Sequence, residues 1–576
     1  MFKRKSLVLA AALVALTVGV VHAHGKSRTT YCDDNDPMLV GVGDWKAESI
    51  FTVGQSFDGY TPVGIMDGIG AFKKDKNTIR FLVNHELLHF RGDFYDVSDG
   101  AGGTFSLKGA RISYFDVDKK SRCIVGSGLA YDTIYDANGD VATDGSFQPE
   151  AYAVAFGGTP GSGSQLQGFS RFCSGSYFPA NEFGKGRGLR NGIYFAGEED
   201  GGGFNSVGGA EWALDPVTGE IWHLPDLGRG AWENVTVLDT GSKKTVAILL
   251  ADDSSPFDAD NIGLGGDGDD EAAPLYLYIG TKGKKGDFPT RNGLRGGKLY
   301  VWVADNGDTS PADFNTSGTL NGSWVEIDNS PDLANASQDG STGFDEFGYP
   351  TQRTLWKRAE ALGAFGFSRP EDVATNPKDG REAVLASTGV DTFVGGADTF
   401  GTMYTIKTNF KTLKAKLKII YDGDADPTRA LRSPDNLDWA DNGKIYVQED
   451  EAEEDSLTGE VLFGAAAANP NEAGIVCLDP KKGTVIRIAN IDRSVVLDES
   501  IADPTQAVDV DADPNGEPNG EWESSGILDV SKLFGAKKGT LFICNVQAHG
   551  IEDQDGFNPL SRINDGDLVE GGQLLF

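Results

Sequence analysis

The sequence is poor in histidine and cysteine, and it has far fewer positive than negative charges. Its 576 residues include six His and five Cys, and 51 Lys and Arg stand against 86 Asp and Glu, which gives a net charge of −35. A strongly negative field repels phosphate backbones and anionic lipids. We therefore expect no nucleic-acid partner and no membrane attachment by charge. We expect the surplus carboxylates to bind hard cations instead.

Several catalytic motifs are absent from the sequence. There is no G-x-x-x-x-G-K-[ST] loop for nucleotide phosphates and no G-x-S-x-G nucleophile elbow. Beyond the N-terminal region, imidazoles are available at His85, His89, His223 and His549 alone. These absences argue against a phosphate-cradling nucleotide loop and against a Ser-His-Asp hydrolase.

One short motif, His85-Glu86-Leu87-Leu88-His89, matches the H-E-x-x-H pattern of zinc proteases. That pattern binds zinc because a helix places both imidazoles on one face. Residues 78–84 before it are rich in β-branched and aromatic side chains, which favours a strand. We expect a strand end that brings Asn84, His85 and Glu86 to a rim, and we keep a zinc protease as the less favoured alternative.

A long hydrophobic run occurs at the N-terminus and nowhere later in the chain. Lys3-Arg4-Lys5 precedes the apolar residues 7–21, and Val21-His22-Ala23 is a small-residue cleavage pattern. This arrangement predicts a Sec-type signal peptide over residues 1–23 and a periplasmic or secreted protein. No later run is long enough for a membrane-spanning helix.

The odd number of cysteines leaves at least one thiol free, bound to a metal, or paired with another molecule. Cys173 is the candidate, because Arg171-Phe-Cys-Ser-Gly-Ser176 places it in a small polar segment before an acidic strand. A thiolate ligand would favour a transition metal. The alternative is an ordinary disulfide or a buried thiol, and the other four cysteines could pair in three ways.

Helical periodicity is scarce, and short β-rich runs alternate with Gly, Asp, Asn and Pro. Residues 192–200 and 211–222 follow the same design as residues 443–451 and 474–485: a strand ending in acidic residues, then a hairpin with an Asp-Pro-x-x-Gly turn. Such repetition is typical of propeller blades. We predict an all-β fold, a single β-propeller domain over residues 24–576. The loop insertions are expected near 258–271, 305–348 and 451–471.

Acidic or amide residues recur at the ends of the predicted strands. These segments are 84–86, 198–200, 232–234, 252–253, 369–372, 434–436 and 449–451. Strand ends of a propeller converge on its central channel, and like charges gathered there need cations. The pattern therefore predicts a polynuclear metal site. Arg369 and Glu371 share a face of an extended segment, so one could bind an anion while the other binds a metal.

Several segments of the chain, taken in order, resemble the PhoX-type alkaline phosphatase family. The points of resemblance are Val83-Asn-His-Glu86, Cys173-Ser-Gly175 with Glu198-Glu199, Gly228-Arg-Gly-Ala-Trp-Glu233, Asp252-Asp253, Ala361-Leu-Gly363 with Arg369-Pro-Glu-Asp372, and Ser433-Pro-Asp-Asn-Leu437. They extend over most of the chain after the predicted signal peptide.

The resemblance implies a β-propeller that holds iron and calcium and hydrolyses small phosphate monoesters. At the matching positions of this sequence, the resemblance implies that Cys173, Glu233 and Glu371 are Fe³⁺ ligands and that Arg369 contacts the phosphate. It further implies Glu86, Glu198 and Glu199 as Ca²⁺ ligands. We expect a monomer. The alternative from another class is a non-catalytic secreted propeller that calcium stabilises.

Overall fold

The computed structural model describes residues 29–149, 168–201, 207–254, 273–314, 318–390, 398–450, 467–495, 522–549 and 568–576. These residues form mostly strands and turns, as predicted. The predicted signal peptide (1–23) and the predicted insertion at 258–271 lie outside them, as do residues 451–466 of the predicted insertion at 451–471. Within the described residues, no helix is long and apolar enough to cross a membrane.

The N-terminal part of the described chain contributes two outer strands and the first blade. The strands are β1 (Leu39–Gly41), β2 (Ser49–Thr52), β3 (Met66–Lys73), β4 (Thr78–His85), β5 (Tyr95–Ser98), β6 (Thr104–Leu107), β7 (Arg111–Asp118) and β8 (Ile124–Leu129). Blade 1 is the antiparallel sheet β3-β4-β7-β8, and β5 and β6 form a separate hairpin.

Blades 2 and 3 follow the same antiparallel design. Their strands are β9 (Thr133–Tyr135), β10 (Phe172–Phe178), β11 (Ile193–Glu198), β12 (Gly209–Asp215), β13 (Glu220–His223), β14 (Arg229–Gly230), β15 (Trp232–Leu238), β16 (Thr245–Asp252), β17 (Ala273–Pro274), β18 (Tyr276–Thr281) and β19 (Lys298–Ala304). Blade 2 is β10-β11-β12-β13, extended by β9, and β14 pairs with β12. Blade 3 is β15-β16-β18-β19. The short helix α1 (Phe288–Asn292) lies between β18 and β19.

Blade 4 shares a sheet with blade 3. The next elements are β20 (Thr319–Ile327), α2 (Gln352–Ala361), β21 (Gly366–Phe367), β22 (Pro370–Thr375), β23 (Glu382–Ser387), β24 (Thr402–Asn409) and β25 (Lys414–Asp422). Blade 4 is β22-β23-β24-β25, and β20 pairs with both β19 and β25. The predicted insertion at 305–348 therefore contains a strand. Asn, Ser and Gly residues hide its pattern, although Leu320, Trp324 and Ile327 are buried.

Blades 5 and 6 combine both ends of the chain. Their strands are β26 (Pro434–Trp439), β27 (Ile445–Glu449), β28 (Gly474–Asp479), β29 (Thr484–Ile491), β30 (Glu523–Asp529), β31 (Phe542–Ala548) and β32 (Gly571–Leu575), with helix α3 (Ser531–Phe534) after β30. Blade 5 is β26-β27-β28-β29 with β1 at its edge, and blade 6 is β30-β31-β32 with β2 at its edge. Four 3₁₀ turns complete the described elements: Gly145–Phe147, Pro225–Leu227, Pro311–Asp313 and Arg493–Val495.

The six innermost strands, β3, β10, β15, β22, β26 and β30, contact one another in a closed ring. We call the face where these strands begin the upper face and the face where they end the lower face. Because each blade is antiparallel, its first-to-second and third-to-fourth connections all lie at the lower face. Each lower connection is counted from the last residue of one strand to the first residue of the next. These ranges are 73–78, 118–124, 178–193, 215–220, 238–245, 281–298, 375–382, 409–414, 439–445, 479–484 and 529–542. The crossing from β1 to β2, 41–49, is the twelfth.

One hydrophobic cluster fills the space between each pair of neighbouring blades. Both faces of a blade are therefore covered, which explains apolar runs such as 246–250 that do not alternate with polar residues. The repeated design predicted from the sequence is present in blades 2 and 5. Its two turns end at Gly219 and Gly483, whose φ angles of +76° and +66° favour glycine.

One disulfide, between Cys32 and Cys123, joins the N-terminal segment to the β7–β8 connection of blade 1. All five cysteines lie in the described residues, and Cys173, Cys477 and Cys544 are free thiols. The chain thus forms one intramolecular bridge rather than two.

We expect Cys32→Ser to lower the free energy of unfolding by about 2–4 kcal/mol, because the bridge closes a long loop in the unfolded chain. Urea unfolding under non-reducing conditions measures the change. Cys477→Ser removes a thiol that is in no bridge and is the matched control. Equal stability of the Cys32→Ser and wild-type proteins would contradict the expectation.

Candidate metal centre

Each innermost strand carries a β-bulge near its upper end. In every blade the register shifts so that two residues of the inner strand lie opposite one residue of the second strand. The bulge pairs are Asp67-Gly68, Cys173-Ser174, Glu233-Asn234, Glu371-Asp372, Asp435-Asn436 and Ser525-Gly526. Because a bulge redirects a side chain, this repeat delivers one polar group from each blade to the channel.

The first residue of each bulge lies near further carboxylates. Glu86, Glu199 and Asp450 directly follow the second strands of blades 1, 2 and 5, and Glu523 is the first residue of β30. Three groups have ligand atoms within 4.8 Å of one another: Asp67 with Glu86 and Cys173, Cys173 with Glu199 and Glu233, and Asp435 with Asp450 and Glu523. Cys173 belongs to two of these groups and lies 3.4 Å, Sγ to Oδ2, from Asp67. The upper end of the channel is therefore a continuous cluster of potential metal ligands.

Burial and mutual repulsion favour the protonated forms of these groups. The pKa of Asp67 is raised to about 7, mainly by burial and then by the charge of Glu86. Burial, followed by Glu199 and Asp67, holds the pKa of Glu233 well above its usual range. Burial, with Asp67 and Glu233 next, raises the pKa of the Cys173 thiol. The cluster therefore needs protons or cations to remain folded.

Two arginines contribute positive charge to this cluster. Arg171 and Arg369 occupy equivalent positions, two residues before the bulges of blades 2 and 4, and both have left-handed φ angles, 48° and 50°. Arg171 Nη2 lies 3.0 Å from Glu86 Oε1 and also pairs with Glu199.

Arg369 is held by three carboxylates. Its Nε lies 3.1 Å from Asp253 Oδ1, its Nη2 2.8 Å from Glu371 Oε1 and its Nη1 3.2 Å from Asp450 Oδ2. The side chain keeps 22% of its surface exposed, so the guanidinium lies at the edge of the cluster and can be reached from the channel.

Metal ions fit the residues at this centre. Two guanidinium groups face at least nine carboxylates, those of Asp67, Glu86, Glu199, Glu233, Asp253, Glu371, Asp435, Asp450 and Glu523. Among the described residues, the buried Asp67 Oδ1 has no hydrogen-bond partner. A thiol beside carboxylates suits a transition metal such as iron, and the carboxylates alone suit calcium.

The second bulge residues link the blades below this cluster. Asn234 Nδ2 donates to Ser174 Oγ at 3.2 Å and to Asp372 Oδ1 at 2.5 Å, and the Leu437 amide donates to Asp372 Oδ2 at 2.7 Å. These bonds connect blades 2, 3, 4 and 5.

The circle closes through blades 6 and 1. The Gly526 amide donates to Asn436 Oδ1, and Asn545 Nδ2 donates to the Asp67 carbonyl. Asn84 Nδ2 then donates to the Cys173 carbonyl at 2.8 Å. We call this closed circle of hydrogen bonds the girdle.

The structure brings most of the predicted site residues together. Cys173, Glu233 and Glu371 are first bulge residues, while Glu86 and Glu199 directly follow second strands. Arg369 is beside Glu371, as the extended spacing predicted.

Glu198 lies apart from the cluster. Its oxygens accept hydrogen bonds from Gln148 Nε2 at 2.5 Å, the Ser170 amide at 2.9 Å and Trp212 Nε1 at 3.0 Å. Neighbouring strand residues point to opposite faces, so Glu198 and Glu199 cannot both enter the channel.

The H-E-x-x-H segment is a strand end, as the flanking residues predicted. β4 ends at His85, and Glu86 to Leu88 are not helical. His85 is buried, with Nδ1 3.1 Å from the Gly64 carbonyl and Nε2 2.6 Å from Ser113 Oγ. The helical geometry that a zinc protease requires of this motif is absent here.

Asp67, Arg171 and Glu523 are further residues of the site that were not predicted from the sequence. A repeated signal could have located the bulges: an acidic or hydroxyl residue, then Asn, Asp or Gly, then Val, Ile or Leu. It occurs at 67–69, 233–235, 371–373, 435–437 and 525–527. The Cys173 bulge departs from it, since Gly175 follows Ser174.

A family model described as alkaline phosphatase PhoX matches residues 224–495. The predicted resemblance to the PhoX family is confirmed. The PhoX match spans blades 3 to 5 and includes Glu233, Arg369 and Glu371.

Comparison with solved structures extends the likeness to nearly the whole chain. Pseudomonas fluorescens PhoX, solved in complex with vanadate, a transition state analogue, is 14% identical, with 95% of this chain and 97% of that chain covered and a TM-score of 0.56. This similarity shows the shared β-propeller fold. A Synechocystis apocarotenoid oxygenase mutant is also 14% identical, with 74% of this chain and 92% of that chain covered, but the TM-score is only 0.20. No curated protein matches the chain.

We expect the stability of the cation-free protein to fall as the pH rises from about 4 to about 7. Asp67 binds its proton more tightly in the folded protein, where its pKa is about 7, than in the unfolded chain, where it is about 4. The stabilisation is therefore complete below the lower value and is lost as the pH rises through the higher one. Calcium should restore stability most at high pH.

Urea unfolding at a series of pH values, with chelator or with calcium, measures this effect. Asp67→Asn should reduce the pH dependence, and Asn at the exposed position of Asp34 should leave it unchanged. A flat profile of the wild-type protein in chelator would contradict the prediction.

Proposed function

We propose that this protein is a metal-dependent phosphatase that hydrolyses small phosphate monoesters at the upper end of the channel. The observation that carries the proposal is the buried cluster of one thiol and several carboxylates beside Arg369. Its residues come from different blades of a fold shared with a PhoX that was solved with vanadate.

The bulge side chains would hold the metals. Cys173, Glu233 and Glu371 are the proposed iron ligands, because the thiol of Cys173 lies within 4.8 Å of a Glu233 oxygen and Glu371 is on the next bulge. Glu86 and Glu199 are the proposed calcium ligands. Glu198 would act by fixing the end of β11. When bound, such ions neutralise phosphate oxygens and activate an oxygen nucleophile.

Arg369 would bind and orient the phosphate group of the substrate. A guanidinium can donate two parallel hydrogen bonds to an oxyanion, and its planar fork suits phosphate. Asp253 and Asp450 hold this group from two sides, so the side chain would be oriented before substrate arrives. Arg171, its equivalent in blade 2, is the candidate for a second anion contact.

We further propose that the protein acts in the periplasm or outside the cell. The predicted signal peptide motivates this location. The Cys32–Cys123 disulfide supports it, because such bridges persist in oxidising compartments.

We expect Arg369→Ala to raise KM for p-nitrophenyl phosphate by roughly tenfold or more while bound iron and calcium stay constant, because its role is toward the anion. Steady-state kinetics and elemental analysis of the purified protein measure both quantities. Glu371→Gln should instead lower the metal content.

The matched control is Arg381→Ala, which removes an exposed guanidinium from the lower connection 375–382. It should leave KM unchanged. A metal-loaded protein without phosphatase activity, yet stabilised by calcium, would contradict the proposal and favour a non-catalytic calcium-binding propeller.

A further inference from the structure

Positive charge in this acidic chain is concentrated at the lower face. The twelve lower connections contain 28 Lys and Arg and 14 Asp and Glu, whereas all other residues contain 23 and 72. The lower connections therefore carry a net charge of +14 in a chain whose net charge is −35. Positive charge is thus concentrated in the lower connections rather than spread evenly along the chain.

Every blade contributes to this basic face. Exposed lysines at the lower turns include Lys76, Lys185, Lys243, Lys378, Lys481 and Lys537, one from each blade in order. Because the strands of all six blades end at the same face, these ammonium groups form a broad ring around the channel and not a single groove. Val217, in the lower connection of blade 2, is 88% exposed and adds an apolar tip to the ring.

We propose that the lower face docks onto a lipid bilayer that carries anionic headgroups. A broad ring of lysines matches a flat surface of phosphate groups, whereas a linear polyanion would follow one continuous groove. Lysines close to such a surface are attracted by its negative potential. The proposal rests on the charge of the lower face and does not depend on the proposed phosphatase activity.

The net negative charge of the chain does not prevent this docking. The innermost strands are six to eight residues long, which separates the two faces by about 20–25 Å. The Debye length is about 8 Å at physiological ionic strength. A bilayer at the lower face is therefore screened from the carboxylates of the upper face. The expectation of no membrane attachment follows from the net charge of the whole chain, whereas this proposal follows from the charge of the lower connections alone.

Docking in this orientation has a consequence for the metal centre. The upper end of the channel would face away from the bilayer and stay open to soluble ligands. The protein would be concentrated at a surface without covering the cluster around Cys173.

Sedimentation of the full-length, metal-loaded protein with vesicles tests the proposal. Vesicles of phosphatidylcholine with about one third phosphatidylglycerol should bind the protein at about 0.1 M salt, and pure phosphatidylcholine vesicles should not. Binding should be lost at about 0.5 M salt. The double variant Lys481→Glu, Lys482→Glu should bind the anionic vesicles roughly tenfold more weakly.

The matched control reverses two lysines outside the lower connections, Lys108→Glu with Lys357→Glu. It changes the net charge equally and should bind within about twofold of the wild-type protein. Thermal unfolding establishes that both variants fold. Absence of binding to anionic vesicles at low salt, or equal losses in both variants, would overturn the proposal. So would binding to soluble polyphosphate without binding to vesicles, which would assign the face to a linear polyanion.

Discussion

The bulge repeated near the start of each innermost strand is the feature on which the rest of the structure depends. Its first residue enters the channel, and in blades 2 to 6 its second residue holds a neighbouring blade through the girdle. Asn234 shows the second role, because its amide bridges Ser174 of blade 2 and Asp372 of blade 4. The ligand cluster is therefore assembled when the ring of blades closes. Blade 6, which combines strands from both ends of the chain, closes the ring.

The same geometry imposes an electrostatic constraint. Carboxylates gathered and buried at one level of the channel repel one another, and Arg171 and Arg369 offset part of that charge. Binding of cations to such a site is therefore coupled to folding. The lower connections instead carry 28 of the 51 Lys and Arg of the chain.

Much of this could be predicted from the sequence because it depends on local pattern. The Asp-Pro-x-x-Gly turns indicate a propeller, and the acidic strand ends predict that carboxylates such as Glu233 and Glu371 lie close together, as the structure places them. Their role as metal ligands stays a prediction that the family resemblance implies. Glu198 lies outside the cluster because side chains alternate along β11, which the acidic pair Glu198-Glu199 does not reveal. Asp67 was missed because its partner Ser525, whose Oγ lies 2.6 Å from Asp67 Oδ2, is 458 residues away. Such contacts depend on ring closure, which no local pattern contains.

Anomalous diffraction from crystals of the protein purified with its metals tests the central claim most directly. Data collected on both sides of the iron absorption edge should show an iron peak within bonding distance of Cys173 Sγ and of Glu233. Calcium peaks should lie among the carboxylates around Glu86 and Asp450. Density for metal-free, hydrogen-bonded carboxylates at the upper end of the channel, with metals absent or bound elsewhere, would contradict the account.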